Sequence, residues 1–308
     1  MFKIFDAHCD VLYKMWMNPN ISFYDDARLH VNYVGLKQTG RSNIQCFAIY
    51  IPPHIHEHLR FQAALEMIEI FYDKIMASPG MQLILSKCDA LNLQENEIGA
   101  ILTLEGCDAV GQDIARLKTL YRLGVRSIGL TWNYANAAAD GILEQRGAGL
   151  SSFGERVVAF NNEQKLWTDV SHLSEKGFWD VIGLAEYPIA SHSNAKRLAP
   201  HVRNLTDCQI RALIDKKGII GVTFVPEFLE EHGNAAVRDV IRHIDYICSL
   251  GGENNVGLGS DFDGIGQTPQ QLRNYFHYEH LINELLKAYS EALVKKILFR
   301  NFVNKISF

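Results

Sequence analysis

The amino-acid sequence predicts an α/β fold, a (β/α)8 TIM barrel, because short apolar segments alternate with amphipathic helical ones along the chain. Strands that alternate with helices pair in parallel through right-handed crossovers. Eight such units in 308 residues fit a closed barrel. An open doubly wound sheet is the alternative, but its glycine-rich G-x-G-x-x-G turn is replaced by His-Cys-Asp after the first strand.

The apolar segments give eight predicted strands, at residues 2–8, 43–51, 98–105, 125–131, 165–172, 187–192, 218–225 and 255–260. The clearest helical patterns lie between them, at 57–77, 111–123 and 235–250. A further helix is predicted to begin at Leu205-Thr206-Asp207 and to end at Gly218. No linker or low-complexity tract divides the chain, so we expect residues 1–308 to form one barrel domain.

Composition and charge exclude several classes of function. The net charge is −5 and the basic residues are scattered, which argues against binding to nucleic acid or to an anionic membrane surface. No apolar run reaches the roughly 18 residues of a spanning helix, and the N-terminus has no features of a secretion signal. The six cysteines form no C-x-x-C pair, which indicates reduced thiols. We therefore expect a soluble, cytoplasmic protein.

Metal-capable side chains recur where the predicted strands end. His8 and Asp10 close the first strand, and they point the same way because alternate residues of an extended chain share a face. Four more strands end in such a residue, namely Glu105, His172, His192 and Asp261. Each alone has an ordinary explanation as a hydrogen-bonded or capping residue. Together, at the end of the barrel where active sites lie, they predict a metal site.

The chemistry of this set indicates which metal would bind. Three histidines, two aspartates and one glutamate suit zinc best, with manganese or cobalt as alternatives. Six ligand-capable groups exceed what one tetrahedral ion requires, and they suit two divalent ions about 3.5–4 Å apart with one bridging carboxylate. Such a pair lowers the pKa of a shared water and polarises a carbonyl group, so the predicted reaction class is metal-assisted hydrolysis.

The chain resembles the membrane (renal) dipeptidase family, which consists of zinc peptidases with (β/α)8 barrels. The resemblance rests on six segments in the family's order, FDAHCD, LTLEG, DVSHLSEKGFWDV, IASHSNAKRL, PHVRNLTD and GLGSDFDG. It extends from Asp6 to about Asn301. The expected substrate is a dipeptide, with tolerance of a D-residue in its second position. Because the membrane-bound members' secretion signal and lipid anchor are not found here, the chain resembles soluble bacterial relatives.

The resemblance also implies roles for individual residues. His8 and Asp10 are expected to bind the first metal ion, and His172 and His192 the second. Glu105 is expected to bridge the two ions. Family members are often dimers, so a homodimer is a further expectation.

Two residues are expected to act on the substrate. Asp261 corresponds to the aspartate that handles the proton of the water bridging the metal ions, and Arg203 to the arginine that holds the free carboxylate of a dipeptide. A guanidinium binds a carboxylate through two parallel hydrogen bonds, which would restrict the substrate length.

Trp132 departs from the family pattern, since well-studied eukaryotic members carry a histidine there. A tryptophan offers one N–H donor and no basic nitrogen. Asn133 or Asn136 is the candidate donor to the developing oxyanion, and the alternative is that they only organise the loop backbone.

Two other functions stay open. The first is a hydrolase acting on another small amide or lactam, although such barrels usually begin with His-x-His where this chain has His8-Cys9-Asp10. The second is a metal-binding homologue that has lost catalysis. Trp132 favours this interpretation, whereas Asp261 and Arg203 argue against it.

Overall fold

The computed structural model describes residues 2–38 and 43–308. Nine strands are found in these ranges, β1 Phe5–Asp6, β2 Ile44–Tyr50, β3 Met81–Leu83, β4 Ile98–Glu105, β5 Val125–Gly129, β6 Trp167–Asp169, β7 Pro188–Ala190, β8 Ile219–Val222 and β9 Val256–Leu258.

The same ranges contain thirteen α-helices, α1 Val11–Met17, α2 Tyr33–Gln38, α3 Glu57–Ile70, α4 Lys87–Asn92, α5 Ile114–Arg122, α6 Ser152–Glu163, α7 Glu175–Leu184, α8 Asp207–Asp215, α9 Pro226–Leu229, α10 Val237–Ile247, α11 Tyr278–Ala288, α12 Glu291–Lys295 and α13 Asn301–Lys305. Short π or 3-10 turns extend or connect some of them at 71–75, 107–109, 248–252, 275–277 and 296–300. None of the described helices has both the length and the apolar character needed to traverse a bilayer.

Eight of the strands close into a parallel barrel in the order β1-β2-β4-β5-β6-β7-β8-β9. The longest ladder joins β2 to β4 from Ile44↔Gly99 to Tyr50↔Glu105, and the pair Asp6↔Leu258 joins β1 to β9. Helices lie between successive strands, and the predicted (β/α)8 barrel is therefore confirmed. Apolar side chains such as Phe47 and Leu102 are fully buried in the core.

The sequence did not predict β3. Its three residues pair with the first part of β4 at Met81↔Ile98, on the same edge that β5 occupies from Leu102 onward. This short strand alternates only weakly, and Gln82 is exposed, so it gives no strong periodic pattern.

Several strands are shorter than predicted. Only Trp167–Asp169 of the predicted strand 165–172 and Pro188–Ala190 of the predicted strand 187–192 belong to the sheet. The chain leaves the ladder at these points and turns into the loops of the barrel rim. His172 shows this directly, because its φ of +69° is not compatible with a strand. The metal-capable residues thus lie just beyond the strand ends, except Glu105, which is the last residue of β4.

The predicted helix start at Thr206 is confirmed by its capping box. The Thr206 hydroxyl accepts a hydrogen bond from the Gln209 backbone N–H at 3.3 Å, and the Gln209 side chain accepts one from the Thr206 N–H at 2.9 Å. Gly218 follows this helix, and a Cβ there would lie 2.5 Å from the Pro188 carbonyl oxygen. Only glycine permits this close approach of the segment after α8 to Pro188, the first residue of β7.

His243 of α10 connects two rim segments in the interior. Its Nδ1 accepts a hydrogen bond from the Ala195 N–H, and its Nε2 donates one to the Leu229 carbonyl, each at 3.0 Å. The ring is therefore neutral. Burial lowers the pKa of His243 to about 4 despite the hydrogen bond to Leu229.

This shift predicts a loss of stability in acid. Between pH 6.5 and pH 4 the unfolded chain binds a proton at His243 that the folded chain excludes, so the contribution of His243 is complete above pH 6.5. It falls by about 2 kcal/mol by pH 5. Urea unfolding of the metal-free protein and of His243→Gln at pH 7.5 and pH 5 measures this effect. Gln can both accept and donate, so the variant should lose less stability on acidification. Equal losses in both proteins would show that His243 is not responsible.

Candidate active site

The six metal-capable side chains predicted from the sequence meet at one end of the barrel. They follow strand ends that point the same way because the strands are parallel. They are buried or nearly so, and they comprise His8 and Asp10 after β1, Glu105 at the end of β4, His172 after β6, His192 after β7 and Asp261 after β9. As expected from the alternation, Cys9 points away and donates its thiol to the Cys46 carbonyl at 3.2 Å.

Glu105 lies between the histidines of this cluster. Its Oε1 is 2.8 Å from Nε2 of His172 and 3.6 Å from Nε2 of His192. Its Oε2 is 3.8 Å from Nε2 of His8. One carboxylate therefore faces imidazole nitrogens from both sides of the barrel mouth, which is the arrangement required of a bridging ligand.

His8 forms a second group with two aspartates. Its Nε2 lies 3.4 Å from Asp10 Oδ2 and 3.8 Å from Asp261 Oδ1. The backbone fits closely here, because a Cβ on Gly264 would lie 2.2 Å from Asp10 Oδ2 and 2.6 Å from Asp261 Oδ1. Any side chain at position 264 would displace both carboxylates.

A buried relay fixes the orientation of His192. Asp169 at the end of β6 accepts hydrogen bonds from the backbone N–H groups of Ser171 and Ser191, each at 3.0 Å, and also from the Ser191 hydroxyl. The one hydrogen of the Ser191 hydroxyl is thus used in the bond to Asp169, and its oxygen accepts a hydrogen bond from Nδ1 of His192 at 2.7 Å. The tautomer that donates from Nδ1 leaves the Nε2 lone pair free towards Glu105.

A different residue orients His172. The amide oxygen of Asn133 accepts a hydrogen bond from Nδ1 of His172 at 2.8 Å, which again leaves a lone pair on Nε2. Burial lowers the pKa of both His172 and His192 well below the usual value, with Arg203 and His8 adding to the effect, so both rings are neutral. Their Nε2 atoms are only 2.7 Å apart. Two lone pairs at this distance repel each other unless a cation lies between or beside them.

The carboxylates of the cluster also lie in an environment that disfavours their charged form. Burial raises the pKa of Glu105 well above its usual value and raises that of Asp261 to about 8, with Asp10 adding to both. Burial opposes a charge on His8, but Glu105 and Asp10 outweigh it and raise its pKa to about 10. Nε2 of His8 and Oδ1 of Asp10 have no hydrogen-bond partner among the described residues. Imidazole lone pairs, crowded carboxylates and orphaned polar atoms together fit divalent cations.

Asp6 supports this cluster from below. One of its carboxylate oxygens accepts from the Ser260 N–H at 2.8 Å, and the other accepts from the Ser260 hydroxyl at 2.6 Å and the Tyr278 hydroxyl at 2.9 Å. These bonds tie the end of β1, which carries His8, to the end of β9, which carries Asp261. Sequence reasoning missed this role, although Asp6 and Ser260 lie inside the segments FDAHCD and GLGSDFDG.

Arg203 lies beside the cluster and is 6% exposed. Its Nη2 donates to the His192 carbonyl at 3.4 Å, and its guanidinium lies 5.6 Å from the centre of the Phe228 ring. Nε has no hydrogen-bond partner among the described residues. Burial lowers the pKa of Arg203 to about 10, opposed by Asp261 and Glu105, so the group is still charged at neutral pH.

A cavity of about 540 Å³ opens above the cluster. Asp10, Glu105, His172 and Asp261 reach its floor, and Arg203 is at its side. Aromatic rings form another part of the wall, with centroids 5.3 Å apart for Tyr13 and Tyr50 and 5.3 Å apart for Tyr50 and Trp132.

The two asparagines considered for the oxyanion differ in position. Asn133 lines this cavity. The side chain of Asn136 is occupied in the loop, where it donates to the Leu130 carbonyl at 2.8 Å and accepts from the Ala138 N–H at 2.8 Å. Asn136 therefore organises the loop backbone, and Asn133 is the residue available to a ligand.

A parallel barrel with a cation-binding cluster at the carboxyl ends of its strands defines the class of metal-dependent (β/α)8-barrel hydrolases. Comparison with known proteins gives the family. The chain matches the membrane dipeptidase family, peptidase family M19, over residues 1–306, and it belongs to that family. It is therefore a metal-dependent dipeptidase, a hydrolase acting on peptide bonds, and the predicted family is confirmed.

Individual relatives agree with this assignment. A metallo peptidase from Rhodobacter sphaeroides, solved with a phosphinate mimic of the dipeptide L-Ala-D-Ala, superimposes with a TM-score of 0.93 at 28% identity, covering 100% of this chain and 99% of that one. A protein encoded in the pqqA 5′ region of Klebsiella pneumoniae is 36% identical over 252 residues, which are 77% of this chain and 93% of the relative. Dipeptidase aclJ of Aspergillus oryzae is 37% identical over 194 residues, covering 61% of this chain and 46% of its own.

The relay behind His192 yields a prediction about metal affinity. Ser191→Ala removes the acceptor that fixes the His192 tautomer, and we expect metal binding to weaken by about 10- to 100-fold. Competition between the metal-loaded protein and a chelator of known affinity measures this. Ser193→Ala is the matched control, because Ser193 is equally buried on the other side of His192 but its hydroxyl has no partner among the described residues. Equal metal affinity in the two variants would remove Ser191 from the metal site.

Proposed function

We propose that this dipeptidase uses two divalent cations, zinc in the first place, with His8 and Asp10 on one side and His172 and His192 on the other. Glu105 would bridge the two sites. The observation that carries the proposal is the position of Glu105, whose two oxygens lie between 2.8 and 3.8 Å from Nε2 atoms of three histidines. When bound, two such cations lower the pKa of a water molecule and polarise the carbonyl that it attacks.

Asp261 is proposed as the proton carrier of the reaction. The attacking water forms a C–O bond to the carbonyl carbon and gives a proton to Asp261, the C–N bond breaks, and Asp261 passes the proton to the leaving amine. Its carboxylate reaches the cavity floor beside His8. Asp261 has a φ of +63°, and the lack of a side chain at Gly264 leaves space for the carboxylates of Asp261 and Asp10.

Arg203 is proposed to hold the carboxylate of the substrate. A buried guanidinium with an unused N–H at the side of the cavity is suited to a bidentate carboxylate. Because that carboxylate belongs to the second residue, a longer peptide would lack it at this distance from the reacting carbonyl. We also propose that the second residue can be a D-amino acid, a proposal supported by the L-Ala-D-Ala mimic bound to the similar Rhodobacter sphaeroides enzyme.

Asn133 is proposed to contact the substrate through its amide NH2 group. Its oxygen is committed to His172, so the NH2 group is the part that can donate to the carbonyl oxygen as charge develops there. Trp132 lies in the aromatic wall and shapes the cavity without taking part in proton transfer.

The function is tested by hydrolysis of L-Ala-L-Ala, L-Ala-D-Ala and L-Ala-D-Glu by the zinc-loaded protein, with and without a chelator. We expect chelator-sensitive cleavage of at least one dipeptide and little cleavage of the amide L-Ala-L-Ala-NH2, which offers no carboxylate to Arg203. If the metal-loaded protein cleaves no dipeptide, a small-amide substrate or a purely metal-binding role would take the place of this function. Equal cleavage of dipeptide and amide would remove Arg203 as the anchor.

A second prediction concerns Asp261. Asp261→Asn keeps the size of the side chain but cannot accept the proton, so we expect kcat to fall by about 10²- to 10⁴-fold. The number of metal ions per chain, measured by elemental analysis, should be unchanged. Unaltered turnover would remove Asp261 from the mechanism, whereas loss of metal would assign it to cation binding.

A further inference from the structure

Glu227 is a carboxylate in the cavity wall that takes no part in the metal-binding cluster. It lies in α9, the short helix after β8, and is exposed to solvent. It lines the substrate cavity together with Val225 and Phe228. No ion pair joins Glu227 to another of the described residues. The cavity wall therefore contains an unpaired negative charge.

Glu227 and Arg203 belong to the same side of the cavity. They follow neighbouring strands, since β7 pairs with β8 at Ile189↔Ile219. The guanidinium of Arg203 lies 5.6 Å from the ring of Phe228, and the His201 ring stacks on that same ring with centroids 4.3 Å apart.

The pKa of His201 is affected by both charges. Burial and Arg203 lower its pKa, and Glu227 acts in the opposite direction. Arg203 and Glu227 therefore both lie within electrostatic range of His201.

The two residues of a dipeptide would meet different walls. With its carboxylate on Arg203, the C-terminal residue would lie next to Phe228, which contacts Arg203, and on the part of the wall that Val225 and Glu227 also line. The N-terminal residue then lies towards the aromatic wall, to which Tyr50 and Trp132 contribute from the ends of β2 and β5. The side chain of the C-terminal residue is thus the part of the substrate that Glu227 can reach.

We propose that Glu227 selects dipeptides by the charge of their C-terminal side chain, favouring cationic residues over anionic ones. The proposal rests on the proposed dipeptidase function and on the orientation that Arg203 gives the substrate. An ammonium or guanidinium group is attracted to Glu227 and a carboxylate is repelled. Because Glu227 is exposed, water weakens both effects, and we expect discrimination of about tenfold in kcat/KM.

The test compares L-Ala-L-Lys with L-Ala-L-Glu, and the same pair with a D-residue in the second position, on the zinc-loaded protein. The wild type should prefer the lysine substrate by about tenfold, Glu227→Gln should reduce this ratio to about two, and Glu227→Lys should invert it. Glu231→Gln is the matched control, since Glu231 is an exposed carboxylate just beyond α9 that does not line the cavity. It should keep the wild-type ratio.

Salt provides an independent measurement on the unaltered protein, because ions screen exposed charges. Raising the ionic strength should shrink the wild-type ratio and leave that of Glu227→Gln nearly constant. If the wild type and Glu227→Gln cleave both substrates with the same ratio of kcat/KM, Glu227 does not select the substrate. The dipeptidase function would still hold. A metal-loaded wild type that cleaves no dipeptide overturns the proposed function, and the selection with it.

Discussion

The carboxylate of Glu105 is the constraint on which the rest of the site depends. It is buried between imidazole nitrogens from opposite sides of the barrel mouth, while Asp10 and Asp261 bring two further carboxylates into the same space. Negative groups at such distances are unstable in a protein interior unless positive charge compensates them. The cluster lies at the rim of the barrel, where cations that compensate this charge can enter from the same cavity as the substrate.

Two buried carboxylates outside the cluster stabilise the rim, and both do so by joining two neighbouring strand ends through serine residues. Asp6 joins the ends of β1 and β9 through Ser260, and Asp169 joins the ends of β6 and β7 through Ser171 and Ser191. Each carboxylate accepts hydrogen bonds from backbone N–H groups at points where the chain leaves the sheet. The loops therefore begin in fixed directions. The directions of these loops set the positions of His8 and His192. Hydrogen bonds thus hold the backbone at His8, through its carbonyl and the Ser260 hydroxyl, and the imidazole of His192, through Ser191.

The sequence predicted those features that follow from strand order. Parallel strands place their carboxyl ends together, so His172 and Asp261, far apart in the chain, could be assigned to one site without a structure. Arg203 lies in a loop, and only the family resemblance singled it out. Residues that act across strands were not accessible from the sequence. The relay of Asp169 and Ser191 depends on the register of two neighbouring strands, which periodicity does not reveal.

The loop after β5 shows the same limit. Asn133 and Asn136 are equivalent in the sequence, and only their hydrogen bonds distinguish a residue of the cavity from one that organises the backbone. Similarly, β3 is too short to produce a periodic signal. It nevertheless pairs with the first part of β4, on the same edge where β5 pairs with the later part. Features set by a few tertiary hydrogen bonds thus escape prediction, whereas features set by the repeated βα unit do not.

The proposed sharing of Glu105 by two cations is tested most directly by anomalous diffraction from crystals of the zinc-loaded protein. Zinc is bound by carboxylate oxygens at about 2.0–2.2 Å. We expect two anomalous peaks, one beside His8 and Asp10 and one beside His172 and His192, each at that distance from a different oxygen of Glu105. A single peak, or two peaks of which one does not contact Glu105, would contradict the binuclear site.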